Sequence, residues 1–283
     1  MRKHRERLMQ GVFLLCACVS ILAVALICFF LFAGGLPAIG KIGVPEFLAG
    51  IRWKPSNDLY GILPMILGSI CVTAGALVLG VPAGILTAAF LARFCPNALY
   101  RLVKPAVDLL AGIPSVVYGF FGLMVIVPAI RALWGGSGKS MLAASVMLGI
   151  MILPTVIGVS ESSIRAVPER YYEGSLALGA SHERSVFCCV LPAARSGILA
   201  AVILGVGRAV GETMAVIMVA GNQAVIPSGP LSGLRTLTAN IVLEMGYAAD
   251  LHRQALIATA VVLFVFILII NLVFSILKRR SAL

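Results

Sequence analysis

Long apolar runs alternate with short polar segments along this chain, and their lengths predict helices that cross a membrane. Runs over residues 11–32, 62–92, 105–130, 141–160, 193–221 and 254–277 each reach the span needed for hydrocarbon, about 20 residues. The pattern therefore predicts an all-α polytopic protein with six transmembrane helices. The first run is longer than the apolar core of a signal peptide and no small-residue cleavage site follows it, so it is expected to be retained. Between the first two runs the chain is mixed, with Pro37, Pro45 and Pro55, and Trp53 and Tyr60 are expected at the membrane–water interface. Pro114 is expected to kink the third helix. The stretch 234–245 is expected to form an interfacial helix.

One polar segment stands apart. Residues 173–192 read EGSLALGASHERSVFCCVLP. Small and apolar residues between Glu173 and Gly179 predict a short amphipathic helix that closes at Gly179, where glycine suits the left-handed residue of a helix end. A second helical start is predicted over 182–187. Such a short pair buries too little apolar surface to stand alone, so it should pack on its own membrane domain or on a partner.

Composition supports the membrane reading. Hydrophobic residues make up 60% of the 283, charged residues only 12%, and the mean hydropathy is +1.06. A soluble domain would need more charge to cover its core. The net charge of +11 does not indicate nucleic acid, because the basic residues flank the apolar runs instead of forming one face. Of the 22 Lys and Arg, 14 fall in residues 2–7, 93–104, 165–195 and 278–280, seven in the alternate segments, and Arg208 remains. The positive-inside rule then puts both termini and residues 165–192 in the cytoplasm. Seven cysteines without framework spacing argue against a disulfide scaffold. The stretch 135–140, GGSGKS, lacks the spacing of a phosphate loop. The three histidines, His4, His182 and His252, form no catalytic cluster.

Two charges sit inside the fifth run. A central arginine costs on the order of 2.5–3.5 kcal/mol to insert, and the helical spacing places Glu212 on the same face as Arg208. A local ion pair returns only about 0.2–0.5 kcal/mol, so either the bundle supplies further polar partners or the pair lines a water-filled path. A guanidinium binds two oxygens of a phosphate-like anion at once. The alternative is an ion pair that fixes helix packing.

Glu173, Gly179 and the terminal Leu191-Pro192 resemble the EAA loop of ABC-importer permeases, although Gly174, Ser175 and Cys189 depart from its usual residues. The stretches GRAVGETMAV (207–216), PSVVYGFFG (114–122) and WKPSNDLYGILP (53–64) resemble the phosphate-specific importers, specifically their PstC-like permease subunits. The resemblance implies a MetI-like ABC type I importer permease fold, with residues 1–60 as a basic segment, first helix and extracytoplasmic connection, and 61–283 as a permease core of five helices. It implies a bacterial inner-membrane subunit that imports inorganic phosphate, with Arg208 and Glu212 on the substrate path. Glu173, Ala177, Gly179, Leu191 and Pro192 would couple to ATPases. Implied partners are a PstA-like permease, two PstB-like ATPase subunits, a PstS-like extracytoplasmic phosphate-binding protein and membrane lipid, but no nucleic acid. No catalytic residue, metal or cofactor is expected in this chain, with ATP and Mg in the partner ATPases. A permease for sulfate or molybdate, or a secondary transporter or channel without an ATPase, are the alternatives.

Overall fold

A computed structural model describes the backbone of residues 2–281 and the side chains of residues 9–276. The basic side chains expected at positions 2–7 and 278–280 lie outside the described side chains. The chain is almost wholly helical. Its elements are α1 (Arg2–Ile42), α2 (Val44–Ala49), a hairpin of β1 (Trp53–Lys54) and β2 (Leu59–Tyr60), α3 (Leu63–Ala89), α4 (Asn97–Gly112), α5 (Ser115–Phe121), α6 (Val127–Trp134) and α7 (Met141–Arg165). There follow α8 (Glu169–Ala177), α9 (His182–Ser185), α10 (Leu191–Ala193), α11 (Arg195–Gly211), α12 (Met214–Val219), α13 (Leu237–Glu244) and α14 (Asp250–Ser281). Single π turns extend α3 (Phe90–Phe94), join α5 to α6 (Gly122–Ile126) and join α9 to α10 (Val186–Val190).

Among the described residues, five helical stretches are long and apolar enough to cross a membrane, and a sixth span arises if the bent pair His182–Ala193 and Arg195–Gly211 counts as one. The centre is the seam of α3 and α7, joined by α11 and α12. Met147, Leu148, Met151, Ile152 and Val156 of α7 are buried there against Val72 and Ala76 of α3. The two helices approach so closely that a Cβ at Gly80 would lie 2.7 Å from the Gly149 carbonyl oxygen. Gly80→Leu should overpack this seam by about 1–3 kcal/mol. The expected result is a lower thermal midpoint of the purified protein by fluorescence-monitored size exclusion; an unchanged midpoint would contradict the packing described.

The structure corrects several sequence expectations. The first helix does not end near residue 32 but continues through Pro37 to Ile42, because its last turns pack along α14. Ala38 is fully buried and Phe32 meets Phe264 edge-on at 6.1 Å. The third run is two helices, not one kinked helix. Pro114 has no N–H and forces the preceding residue to extended geometry, and Ile113 has φ −70°, ψ 127°. Only Ser115–Trp134 then qualifies as a span, while α4 is amphipathic.

Trp53 and Tyr60 are not interfacial belts. They pair across the hairpin and are buried, since Trp53 Nε1 donates to Glu244 Oε2 at 2.8 Å. The helix expected at an interface is α13, and most of it is buried: Leu237, Thr238, Ala239, Asn240 and Glu244 all face inward. Glu244 gathers Arg235, His252 and Trp53 around one carboxylate, so a charge in this position is satisfied from three separate elements.

Candidate functional site

The fifth run carries the largest departure from expectation. It is not one helix. α11 stops at Gly211, and Glu212 takes extended geometry (φ −71°, ψ 131°) before α12 begins. The break leaves no orphaned group at Glu212. Its Oε1 accepts the Ala215 N–H at 3.1 Å, capping α12, and its carbonyl oxygen accepts from Thr238 Oγ1 of α13 at 3.1 Å. A broken helix at membrane depth is sustainable only where protein supplies such partners. Arg208 and Glu212 therefore do not share a helix face, and the four-residue pairing expected from the sequence is absent. No carboxylate lies within ion-pair distance of Arg208 among the described residues.

The Arg208 guanidinium is half-buried, and Nη1 donates one long bond, 3.4 Å, to Thr155 Oγ1 on α7. At a rise of about 1.5 Å per residue it lies roughly 20 Å along α11 from Arg195. It contrasts with Arg93, Arg165 and Arg235, each paired with a carboxylate. An arginine at this depth with one weak protein partner retains donors for an anion. This arrangement does not support the alternative in which Arg208 and Glu212 fix packing as an ion pair.

The polar segment 165–192 folds as its pattern predicts. α8 closes on Gly179 at φ +86°. The Gly179 N–H donates to the Leu176 carbonyl at 2.8 Å and the Ala180 N–H to the Ser175 carbonyl at 3.2 Å, a Schellman ending. Ser181 caps α9, its Oγ accepting the Arg184 N–H at 3.3 Å. Glu173, Ala177, Gly179 and Pro192 are exposed. Leu191 is half-buried and packs on a cluster of Ala88, Ala89, Ile164, Val190 and Ala194, so it ties the segment to the bundle. Tyr171, Leu176, Leu178 and Phe187 are exposed apolar side chains on the same segment, with Leu178 at 91% exposure. Exposed apolar side chains on this segment are available to a partner.

Residues that the sequence reading passed over hold this segment in place. Arg93, in the π turn after α3, donates to both Glu169 oxygens at 2.9 and 3.0 Å and lies over the Tyr172 ring. Tyr172 Oη and His182 Nδ1 are 2.6 Å apart, and Phe94 meets the His182 ring edge-on at 4.6 Å. Glu161 of α7 is buried among Tyr100, Lys104 and Arg165. Burial works against the Lys104 ammonium, but hydrogen bonds to Asp108 and Glu161 outweigh it and hold its pKa above the ordinary lysine value. That charge is therefore constant at physiological pH. The available signal was the Glu161-Arg165 spacing, in the favourable order for a helical pair.

Residues 80–282 match the family of binding-protein-dependent transport system inner membrane components. A probable ABC transporter permease protein, YqgH of Bacillus subtilis, is 40% identical over 90% of this chain and 86% of its own length. The phosphate transport system permease protein PstC of Mesorhizobium japonicum is 34% identical over 83% of this chain and 78% of its own. The PstC of Haemophilus influenzae is 31% identical over 92% and 89%. Among solved structures, an inward-facing conformation of the MetNI methionine ABC transporter superposes at TM-score 0.59 with 21% identity, covering 81% of this chain and 99% of that one. An amino acid ABC transporter crystallised with histidines gives 0.55 at 20% identity, covering 77% and 93%.

Proposed function

The chain belongs to the family of binding-protein-dependent transport system inner membrane components, and from that premise we propose that it is the permease subunit of an ATP-driven inorganic phosphate importer. Relatives named as phosphate transport permeases align along most of its length. The observation that carries the substrate class is Arg208: a guanidinium in the last turn of α11 with one long contact to Thr155 and no carboxylate partner among the described residues.

The subunit forms half of a translocation path in the bacterial inner membrane, with both termini in the cytoplasm and a homologous PstA-like permease opposite. A PstS-like binding protein delivers phosphate from outside. Two PstB-like ATPases, which hold ATP and Mg, grip residues 173–192 through the apolar tip around Leu178 and the exposed Glu173, Ala177, Gly179 and Pro192. Leu191 transmits their movement to the bundle through its buried contacts. The planar guanidinium of Arg208 offers two parallel donors to phosphate oxygens. Glu212, held beyond the helix break by its own capping bond, lowers the net positive field and keeps the anion from being trapped.

Vesicles carrying the reconstituted complex test the substrate. Labelled phosphate should be taken up and excess unlabelled sulfate should not compete. Sulfate or molybdate uptake with phosphate excluded would assign the path to another oxyanion.

A further inference from the structure

We infer that Glu161 is a positioning residue for coupling, the fastening point through which movement of segment 165–192 reaches the rest of the bundle. The inference rests on the reading of that segment as the ATPase contact.

The reason lies first in the sequence around Pro96. In the π turn at the end of α3, the Cys95 N–H bonds back to the Phe90 carbonyl at 2.8 Å. The next residue, Pro96, has no N–H. The Leu91 carbonyl thus loses both backbone donors in reach and is left an orphan at a helix end. Arg165 fills the vacancy: its Nη2 donates to the Leu91 oxygen at 2.8 Å. The same guanidinium donates through Nε to Glu161 Oε1 at 2.9 Å and lies 4.7 Å from the centre of the Tyr100 ring.

Glu161 then gathers α4. Tyr100 Oη donates to Oε1 at 2.8 Å, and Lys104 Nζ lies 3.2 Å from Oε2. One carboxylate, 3% exposed, therefore joins the ends of α3, α4 and α7. Arg165 is the last residue of α7, and α8 begins four residues later at Glu169. Glu169 is bound by Arg93 of the same π turn. The π turn is thereby fastened on both sides of the short link from α7 to α8. A pull on α8 cannot move α7 alone; it moves α3 and α4 with it as long as the Glu161 clasp holds. Buried charges with this many directed bonds shift between discrete arrangements, not gradually.

The test uses the complete reconstituted complex, reading phosphate transported per ATP hydrolysed. Glu161→Gln keeps the side-chain shape but turns one acceptor into a donor facing cationic or hydroxyl partners. The expected result is normal recovery of ATPase subunits, hydrolysis close to wild type, and transport per ATP lower by about tenfold, as loss of a charged hydrogen-bond node would give. Tyr100→Phe removes one bond at the rim and should lower the ratio by about threefold. If the Glu161→Gln complex does not assemble, Tyr100→Phe decides alone. An unchanged ratio in the assembled variants would overturn the inference while leaving the coupling segment intact. Failure of the wild-type subunit to retain any ATPase would remove the coupling reading itself, and this inference with it.

Discussion

Replacing Arg208 with alanine is expected to lower phosphate uptake by about 100-fold or more and to leave the complex assembled. The magnitude follows from losing two charge-assisted hydrogen bonds to the anion, each worth about 1.5–3 kcal/mol. The intact assembly follows from what Arg208 touches. Its described protein partner is Thr155, at 3.4 Å, and no carboxylate is left behind unpaired when the guanidinium goes. A substitution that removes so little from the folded state should change stability by only about 0.5 kcal/mol. Arg208→Lys keeps the charge but loses the fork of parallel donors, and it should retain a small fraction of uptake. Labelled phosphate uptake and gel filtration of the purified complex read the two effects separately. Failure of the alanine variant to assemble would make Arg208 a structural residue.

Replacing Gly179 with tryptophan should detach the ATPases while the subunit itself still folds. Two costs are separable here. The first is conformational: at φ +86° a side chain costs on the order of 1–2 kcal/mol. The second is steric, and for a Cβ it is nil within this chain, since a Cβ at Gly179 would meet nothing within 4 Å. Gly179 is also exposed, so a bulky side chain there is expected to collide chiefly with a partner. Gly179→Ala carries the first cost and little of the second, so it should weaken transport mildly. Gly179→Trp carries both and should lose most ATPase co-purification. Equal effects of the two would mean that the helix ending matters and that no partner sits against it.

What could be read from the sequence depended on whether the deciding partner was near in the chain. The Schellman ending at Gly179 needs only neighbours, Ser175 and Leu176, and the sequence predicts it in place. The spans over 141–160 and 254–277 needed only length and apolarity, and the helices contain them. The break at Glu212 is different. Gly-Glu-Thr inside an apolar run reads as continuing helix, yet Thr238 of α13, 26 residues on, donates to the Glu212 carbonyl the bond that makes the break tolerable. Trp53 read as interfacial because an amphipathic ring usually finds water for its N–H. Glu244, 191 residues away, supplies the acceptor instead and draws the ring inside. Glu161 escaped notice for the same reason: its value lies in Tyr100 and Lys104, in a segment that the sequence reads as a basic loop before the third run and that the structure folds into α4.

The candidate site divides along the same line. The position of Arg208 in an apolar run suggested a place on the substrate path with Glu212 as its partner, and the structure removes that partner among the described residues. Glu212 stands out in the sequence as polar in an apolar setting, but its geometry gives it to the backbone of α12 and not to Arg208. Leu191 and Pro192, adjacent in sequence, face different surroundings, one packed on the bundle and one exposed.

The central claim is that a passive path through this subunit is driven by a separate nucleotide-hydrolysing partner acting on residues 173–192. The most direct measurement is phosphate uptake by proteoliposomes containing the whole complex, with ATP or a non-hydrolysable analogue inside. Uptake that needs ATP hydrolysis, and that disappears when the ATPase subunits are omitted, is the predicted result. Phosphate accumulation against a gradient by this subunit without any ATPase would contradict it.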